Sequence, residues 1–291
     1  MGAGSEESLT RTANARNNAQ FQGVRLDRWR SVRDSVWRIV DPCLHPGARV
    51  AIVGAGSCDD IPLRRIAARA GSIDLVDLDA TSLARARTRA EGASDRGAVV
   101  TELVTDVTEG AADAILNALR SGNDPELPPR VAARAIGDGD YDLVVGDMLY
   151  TQLLHPGLIA LDITGEAQRA LMRTFDPPLV DALVRRLQRS LSPTGRTLHI
   201  HDVACWTAAH PQPMPLAEVL VNPDEHWRRL RRHDACDPHL VLQRLGARIE
   251  TVTWWEWPFE PNKQFLVRAT LARPGVGGAS PAADLLGRRL A

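Results

Sequence analysis

RVAIVGAGSCDDIPLRRIA, residues 49–67, joins an apolar run to a helical pattern through a glycine turn. A turn of this kind at the carboxyl end of a strand is typical of a nucleotide-binding loop. Gly54 permits the tight turn, and Gly56 lets a ligand approach the backbone. Where a dinucleotide-binding fingerprint has its third glycine, this chain has Asp59, followed by Asp60. The ligand must therefore accept two carboxylates near the start of the next helix, which we expect one of them to cap.

The two carboxylates argue against NAD and FAD. In a dinucleotide site the pyrophosphate rests on the helix N-terminus that follows the glycine turn. Like charges a few ångströms apart repel by about 4 kcal/mol at an effective dielectric near 20. S-adenosylmethionine has no phosphate and carries a sulfonium and an ammonium, so carboxylates beside it are neutral or favourable.

Seven apolar runs predict strands, at 49–54, 72–78, 98–104, 141–147, 196–203, 247–255 and 264–272. Helical patterns separate the first six, which predicts βαβ units and a parallel sheet. The link between the last two is too short for a helical crossover and long enough for a hairpin, so the seventh strand should be antiparallel. We therefore predict an α/β fold: a Rossmann-like, doubly wound, seven-stranded sheet, mostly parallel with an antiparallel last strand. Residues 24–40 add an amphipathic N-terminal helix.

The chain is predicted to form one domain with two loose ends. Residues 1–20 are polar and predicted to be disordered. Residues 21–272 form the domain, within which the long, proline-rich segment 205–240 is expected to be a lid or substrate insert. Residues 273–291 begin rich in glycine and proline, and we expect a flexible tail.

Composition narrows the class of protein. The chain has 291 residues, 44% of them hydrophobic, and a net charge of −1, which gives no reason to expect nucleic-acid or membrane partners. The N-terminus lacks the apolar core of a signal peptide. Four cysteines without a CxxC pair do not suggest a disulfide framework. Lys263 is the only lysine, a bias typical of a GC-rich bacterial genome. We expect a cytoplasmic bacterial enzyme.

Acidic residues end the next predicted strands. Asp77 follows Gly56 by 21 residues and is placed to accept both ribose hydroxyls of a nucleoside. Asp106 ends the third strand, where it can meet an adenine amino group. Asp147 ends the fourth strand and is a candidate for the ammonium of a methionine moiety, for the acceptor site, or for a helix cap.

Five motifs in this order resemble those of class I S-adenosylmethionine-dependent methyltransferases, over roughly residues 45–272. They are VAIVGAGSC, LVDLD, TDV, YDLVVGDMLYTQLL and LSPTGRTLHIHD. The resemblance implies S-adenosylmethionine as cofactor, in contact with Gly54, Ala55, Gly56, Asp77, Leu78, Asp106, Val107 and Asp147. The fourth motif lacks the Asn/Asp-Pro-Pro-Tyr of DNA amino-methylating enzymes, so the resemblance does not name the acceptor.

Catalytic candidates lie after the fourth and fifth strands. His199 and His201 share one side of the fifth strand by period-two alternation. His201 with Asp202 could act as a general base, because imidazole titrates near neutral pH. His201 could instead be a strand-end residue that hydrogen-bonds a loop. Three residues after the fourth strand are rival acceptor contacts: Tyr150, Gln152 and His155.

No metal is expected, because the spacing of His226, His233, Cys236 and His239 matches no zinc pattern. The predicted function is methyl transfer to an O, N or C atom of a small molecule, in bacterial secondary metabolism, by a chain that could form a homodimer. Three alternatives remain open: aminopropyl or other alkyl transfer on the same fold, a non-catalytic cofactor-binding partner protein, and a nicotinamide-dependent oxidoreductase.

Overall fold

The structure, a computed structural model, describes residues 8–275 except 20–21, 93–96, 129–130, 132–133, 210 and 232–236. The disorder predicted for residues 1–7 and the flexible tail predicted for 276–291 lie outside the described residues. So do two members of the histidine and cysteine group, His233 and Cys236. None of the described helices is both long enough and apolar enough to span a membrane.

A seven-stranded sheet forms the centre of the protein. Its strands are β1 (Arg49–Val53), β2 (Ser72–Asp77), β3 (Val99–Val104), β4 (Tyr141–Asp147), β5 (Leu191–Trp206), β6 (Arg248–Glu260) and β7 (Lys263–Arg273). They are arranged in the order β3-β2-β1-β4-β5-β7-β6. Only the pairs that include β7 are antiparallel. The doubly wound, mostly parallel sheet with an antiparallel last strand is thereby confirmed.

Helices cover both faces of the sheet. They are α1 (Leu9–Ala19), α2 (Gln22–Arg28), α3 (Arg30–Val40), α4 (Leu63–Ala67), α5 (Ala80–Glu91), α6 (Ala111–Arg120), α7 (His155–Ala160), α8 (Gly165–Arg189), α9 (Leu216–Val219), α10 (Pro223–His226) and α11 (Pro238–Arg244). Residues of β1 alternate between two cores: Val50 and Ile52 pack with α3, α4 and α5, whereas Ala51 and Val53 pack with α6, α7, α8 and α11. This alternation produces the two layers of helices.

The N-terminal segment differs from the sequence prediction. Residues 9–19 form helix α1 where disorder was expected, so that prediction is wrong for these residues. The segment buries little apolar surface, and polar contacts with distant residues hold it. Both the backbone N–H and the hydroxyl of Thr10 donate to Asp113, at 3.0 and 2.9 Å. Such contacts leave no hydrophobic pattern in the sequence.

The predicted helix over residues 24–40 is divided in two. Trp29 lies between α2 and α3, is 3% exposed, and donates from its indole N–H to the carbonyl of Pro258 at 3.1 Å. The helix is therefore interrupted at the residue whose side chain docks against the last hairpin. As a result, α2 lies beside the carboxyl ends of the central strands.

Candidate functional site

A cavity of about 540 Å³ opens at the carboxyl ends of β1, β4 and β5. The strand order reverses between β1 and β4, which is where open α/β sheets bind ligands. A smaller pocket of about 60 Å³ adjoins the cavity, and Gly54 and Asp77 line both. The smaller pocket extends past Leu78 to Asp106 and Val107. The two spaces together form an elongated site with Asp77 at the boundary.

The glycine turn approaches the neighbouring strand so closely that one of its positions excludes any side chain. Gly54 has φ +79°, and a Cβ added there would lie 2.6 Å from the backbone oxygen of Asp147. The N–H groups of Gly54 and Ala55 donate to the carbonyl of Val76, at 2.9 and 3.1 Å. These contacts join the ends of β1, β2 and β4 into one rigid wall. The predicted cofactor contacts Gly54, Ala55 and Gly56 line the cavity.

Asp77 is buried at the end of β2 and fixed by three donors. Its Oδ2 accepts from the N–H of Gly56 at 2.9 Å. Its Oδ1 accepts from the N–H of Asp79 at 2.9 Å and from the side-chain amide of Asn14 at 2.6 Å. Burial raises the pKa of Asp77, although these hydrogen bonds act in the opposite direction. Asn14 belongs to α1, so this helix contacts the site.

Neither Asp59 nor Asp60 caps the following helix, contrary to our expectation. Helix α4 begins at Leu63, and its N-cap residue, Pro62, makes no side-chain capping bond. Pro62 has no N–H, and the N–H of Leu63 donates to Ile61 at 2.8 Å. Neither of these two positions at the start of the helix therefore offers a free N–H group to a pyrophosphate.

The two neighbouring aspartates have different roles. Asp59 is 5% exposed and forms ion pairs with Arg89 at 2.9 Å and Arg25 at 3.9 Å. Asp60 lines the cavity and shares a side-chain hydrogen bond with Asp147. Burial raises the pKa of Asp60 to about 6 and that of Asp147 well above its ordinary value. Only Asp60 thus faces a ligand without an arginine ion pair of its own.

Asp106 lines the smaller pocket, but its carboxylate is bound to its own loop. One oxygen accepts from the N–H and the hydroxyl of Thr108, at 2.7 and 2.8 Å. The other accepts from the N–H of Gly110 at 2.6 Å. The guanidinium of Arg186 donates to the carbonyl of Val107 at 2.9 Å and so braces the same loop. An adenine amino group would share a carboxylate that already has these partners.

The predicted pair of His201 and Asp202 is not formed, because successive residues of β5 point to opposite sides. Asp202 faces the cavity and accepts from the hydroxyl of Thr151 at 3.0 Å. His201 is 2% exposed on the other side, with its Nε2 3.6 Å from Asp237. Burial lowers the pKa of His201 to about 3, so the ring is neutral at pH 7. The prediction that it meets the acceptor is wrong.

Asp237 also pairs with Arg268, whose guanidinium lies 4.8 Å from the ring centroid of Trp227 and 5.1 Å from that of Trp254. We call His201, Asp237 and Arg268 the buried polar cluster. We call Asp60, Asp147 and Asp202 the acidic wall, because all three line the cavity. The two groups lie on opposite sides of β5.

The three rival acceptor contacts are divided between core and cavity. Tyr150 is fully buried, and its hydroxyl lies 2.5 Å from Nδ1 of His199. It does not line the cavity, so its prediction as an acceptor contact is wrong. Gln152 and His155 do line it, from the loop after β4 and the start of α7.

Aromatic side chains form the wall opposite α7. They come from α2–α3 and from the last hairpin: Trp29, Trp257, Phe259 and Phe265. Three of their ring pairs pack edge to face, including Trp29 and Trp257 with centroids 5.0 Å apart, and Trp29 stacks on Phe259. The ammonium of Lys263 lies 5.1 and 5.3 Å from the ring centroids of the two phenylalanines, and the guanidinium of Arg25 lies 5.1 Å from the ring centroid of Trp29. The site thus offers an apolar, aromatic surface with two cations beside it.

The segment 205–240 does not form the predicted lid over this cavity. None of its described residues lines the cavity. Its residues Leu216, Val219 and Trp227 instead pack with Val203 and Leu266, beside the buried polar cluster. A proline-rich segment of this length resembles a lid in sequence, but nothing in the sequence showed which side of β5 it covers.

Sequence reasoning also missed residues that the fold brings into the site. Asn14 and Asn18 of α1 line the cavity, as does Arg16. They lie in the segment expected to be disordered, and no pattern marked them. Among the described residues, no group of three or more His, Cys, Asp or Glu is arranged to hold a metal.

Comparisons with known proteins find distant structural similarities. No protein-family model matches the chain, and no curated protein matches it in sequence. The chain is similar to the N-methyltransferase NodS from Bradyrhizobium japonicum WM9, solved with S-adenosyl-L-homocysteine, at 13% identity and a TM-score of 0.47, covering 90% of this chain and 98% of that one.

It is also similar to magnesium protoporphyrin IX methyltransferase (ChlM) from Synechocystis PCC 6803, with 14% identity, a TM-score of 0.43, and 92% and 89% of the two chains covered. The chain is similar to a SAM-dependent methyltransferase from Leishmania major at 14% identity and a TM-score of 0.47, covering 91% of this chain and 80% of that one. Similarities at this distance do not assign an activity to the chain.

Proposed function

We propose that the protein is a class I S-adenosylmethionine-dependent methyltransferase that acts on a small molecule. The observation that carries this proposal is the distribution of charge in the elongated site. Asp77, Asp147 and Asp60 line it in the region where a dinucleotide would place its pyrophosphate. A cofactor with a sulfonium and an ammonium suits these carboxylates, whereas a pyrophosphate is repelled.

The residues present fit the parts of this cofactor in order. The smaller pocket, with Leu78, Asp106 and Val107, would hold the adenine. Asp77, at the boundary of the two spaces, would accept the ribose hydroxyls. Asp147, with Asp60 beside it, would meet the positively charged methionine part. When bound, the cofactor supplies a methyl group already activated by the sulfonium.

The protein's contribution to the reaction is then mainly position. The aromatic wall would hold a flat or apolar acceptor against the cofactor and exclude water. Orientation of this kind supplies roughly 7–11 kcal/mol in favourable cases. Asp202 and His155 are titratable groups that line the cavity, and Asp202 is fixed by the hydroxyl of Thr151. Asp202 would accept a hydrogen bond from the acceptor and orient it.

A second candidate, aminopropyl transfer, is favoured by the acidic wall, because carboxylates also bind a polyamine acceptor. The cofactor of that reaction lacks the methionine carboxylate. Two cations that line the cavity, Arg16 and Lys263, would have no counterpart in it. This difference favours S-adenosylmethionine, the methyl donor, over the decarboxylated cofactor of aminopropyl transfer.

Product analysis tests the proposal. We expect incubation with S-adenosylmethionine and mixtures of small amines, phenols and carboxylates to give S-adenosylhomocysteine and one methylated product. The same mixtures with decarboxylated S-adenosylmethionine should give no product. Aminopropylated products would favour the second candidate, and binding without turnover on any acceptor would favour a non-catalytic partner protein. We place the methyl acceptor in bacterial secondary metabolism, in the cytoplasm.

A further inference from the structure

The hydrogen-bonded carboxyl groups of Asp60 and Asp147 are an unusual feature of the cavity wall. β1 and β4 are adjacent and parallel, with Val53 opposite Gly146. Asp147 therefore ends β4 beside the glycine turn, and the loop after that turn brings Asp60 against it. Asp147 is 4% exposed. Two carboxyl groups in hydrogen-bond contact, one of them buried and the other partly buried, share a proton in preference to both being ionised.

The surroundings neutralise this pair only in part. Charged and titratable groups that act on it come from several elements: Arg25, Arg33, Asp59, Asp77, Cys58 and Tyr150. The two cations among them also bind Asp59: Arg25 forms an ion pair with its carboxylate at 3.9 Å, and Arg33 donates to its backbone carbonyl at 2.6 Å. Asp59 is further compensated by Arg89. Neither Asp60 nor Asp147 forms a direct ion pair with an arginine among the described residues, so the charge of the pair is only partly compensated.

A further polar group in the same wall indicates that a ligand completes it. Ser57 follows the glycine turn, lines the cavity and is 8% exposed. Its hydroxyl has no hydrogen-bond partner among the residues that the structure describes. Buried hydroxyl groups are rarely left unpaired. The unpaired hydroxyl and the carboxyl pair therefore line the same cavity.

We propose that Asp60 and Asp147 distinguish the sulfonium cofactor from its thioether product by exchanging one proton. This inference rests on the proposed function. The sulfonium and the ammonium together favour the doubly ionised pair, so binding releases the shared proton. With the thioether, only the ammonium remains, and the pair keeps its proton.

The proton exchange agrees with the balance of atoms and charge in methyl transfer. The acceptor, X–H, forms a bond from X to the methyl carbon, and the carbon–sulfur bond breaks with its electron pair going to sulfur. The acceptor loses its proton, and the carboxyl pair takes up one proton as the sulfonium charge disappears. The product complex therefore has a weaker charge interaction than the substrate complex, which favours release of the thioether.

Calorimetry in buffers of different ionisation enthalpy counts the protons exchanged on binding. At pH 7 we expect S-adenosylmethionine to release up to one proton more than S-adenosylhomocysteine does. The affinity for the sulfonium cofactor should rise as pH rises, by up to about tenfold per pH unit while the free pair is protonated. The affinity for the thioether should not rise in this way.

Removing one carboxyl group tests the assignment to this pair. In Asp60→Asn the excess proton release should vanish, and the preference for the sulfonium cofactor over the thioether should fall at least tenfold. Asp147→Asn should do the same and serves as the second variant if the first does not fold. Glu260→Gln removes another carboxylate that lines the cavity and should preserve both quantities.

The outcomes separate this inference from the proposed function. Equal proton release for the two ligands in the unmodified protein would overturn the inference and leave the proposed function standing. Loss of the excess proton in Glu260→Gln, with its retention in Asp60→Asn, would also overturn it. If neither ligand binds, both proposals are wrong.

Discussion

The acidic wall and the buried polar cluster lie on opposite sides of β5, and both consist of buried or partly buried charged and titratable residues. The acidic wall borders a cavity, and its carboxylates face the space that a ligand would fill. The buried polar cluster is enclosed by two tryptophans and has its cation and carboxylate in contact. The same residue types thus line a candidate ligand site on one side of β5 and form contacts within the fold on the other.

This comparison shows that neighbouring titratable residues in sequence need not act together. His201 and Asp202 are adjacent in the chain, yet one belongs to the buried polar cluster and the other to the acidic wall. The carboxylate partner of His201 is Asp237, which caps helix α11 from a different part of the chain. Access to a cavity, more than residue type, marks the candidate site.

The largest expected effect comes from opening the buried polar cluster. Arg268→Met leaves Asp237 without its cation in a poorly hydrated site, and we expect a loss of about 3–5 kcal/mol in the free energy of unfolding. Urea unfolding measures this loss. Arg244→Met removes an exposed arginine that lies 3.4 Å from Asp181 and should cost at most about 1 kcal/mol. Equal costs for the two variants would show that the cluster does not stabilise the fold.

A second effect, on ligand binding, is expected on the cavity side. Asp77→Ala removes the acceptor for the ribose hydroxyls, and hydrogen bonds to a charged group contribute about 1.5–3 kcal/mol each. The affinity for the cofactor should fall at least tenfold in titrations of the folded variant. Asp74→Ala, on the same strand, breaks a 2.5 Å contact with Tyr141 outside the cavity and should preserve the affinity. The reverse pattern would mean that the ribose lies elsewhere.

The pH dependence of the free energy of unfolding tests whether the histidines of β5 belong to the protein interior and not to the cavity. Burial lowers the pKa of both His199 and His201 to about 3. The unfolded chain then binds more protons than the native one, so stability is lost as pH falls below about 6.5. Each histidine contributes a slope of at most about 1.4 kcal/mol per pH unit.

His201→Asn should therefore reduce this acid-induced loss, as measured by unfolding at several pH values. A matched His45→Asn variant, on an exposed side chain, should not. His201→Asn should also leave any pH dependence of turnover near neutral pH unchanged. Disappearance of such a dependence in this variant would return His201 to the role of general base.

The architecture could be predicted from the sequence because it depends on local patterns. Alternating apolar runs and helical segments specify the strands, and the short link before β7 specifies its direction. Gly54, Gly56 and Asp77 could be placed for the same reason, since each lies at or just beyond the end of a predicted strand. The strand end itself is a local feature.

The rest of the site depends on long-range packing that no local pattern encodes. α1 reaches the cavity through single polar contacts such as that of Asn14 with Asp77. The side of β5 that faces the ligand depends on where α2 and the last hairpin dock. Asp60 and Asp147 are 87 residues apart in the sequence and meet only because β1 and β4 are adjacent.

Comparative calorimetry with S-adenosylmethionine, S-adenosylhomocysteine and NAD tests most directly whether the acidic wall selects a cationic cofactor. We expect both adenosyl ligands to bind in the micromolar range and NAD to show no measurable heat of binding, because its pyrophosphate would lie beside Asp60 and Asp147. Binding of NAD without binding of either adenosyl ligand would contradict the proposed function.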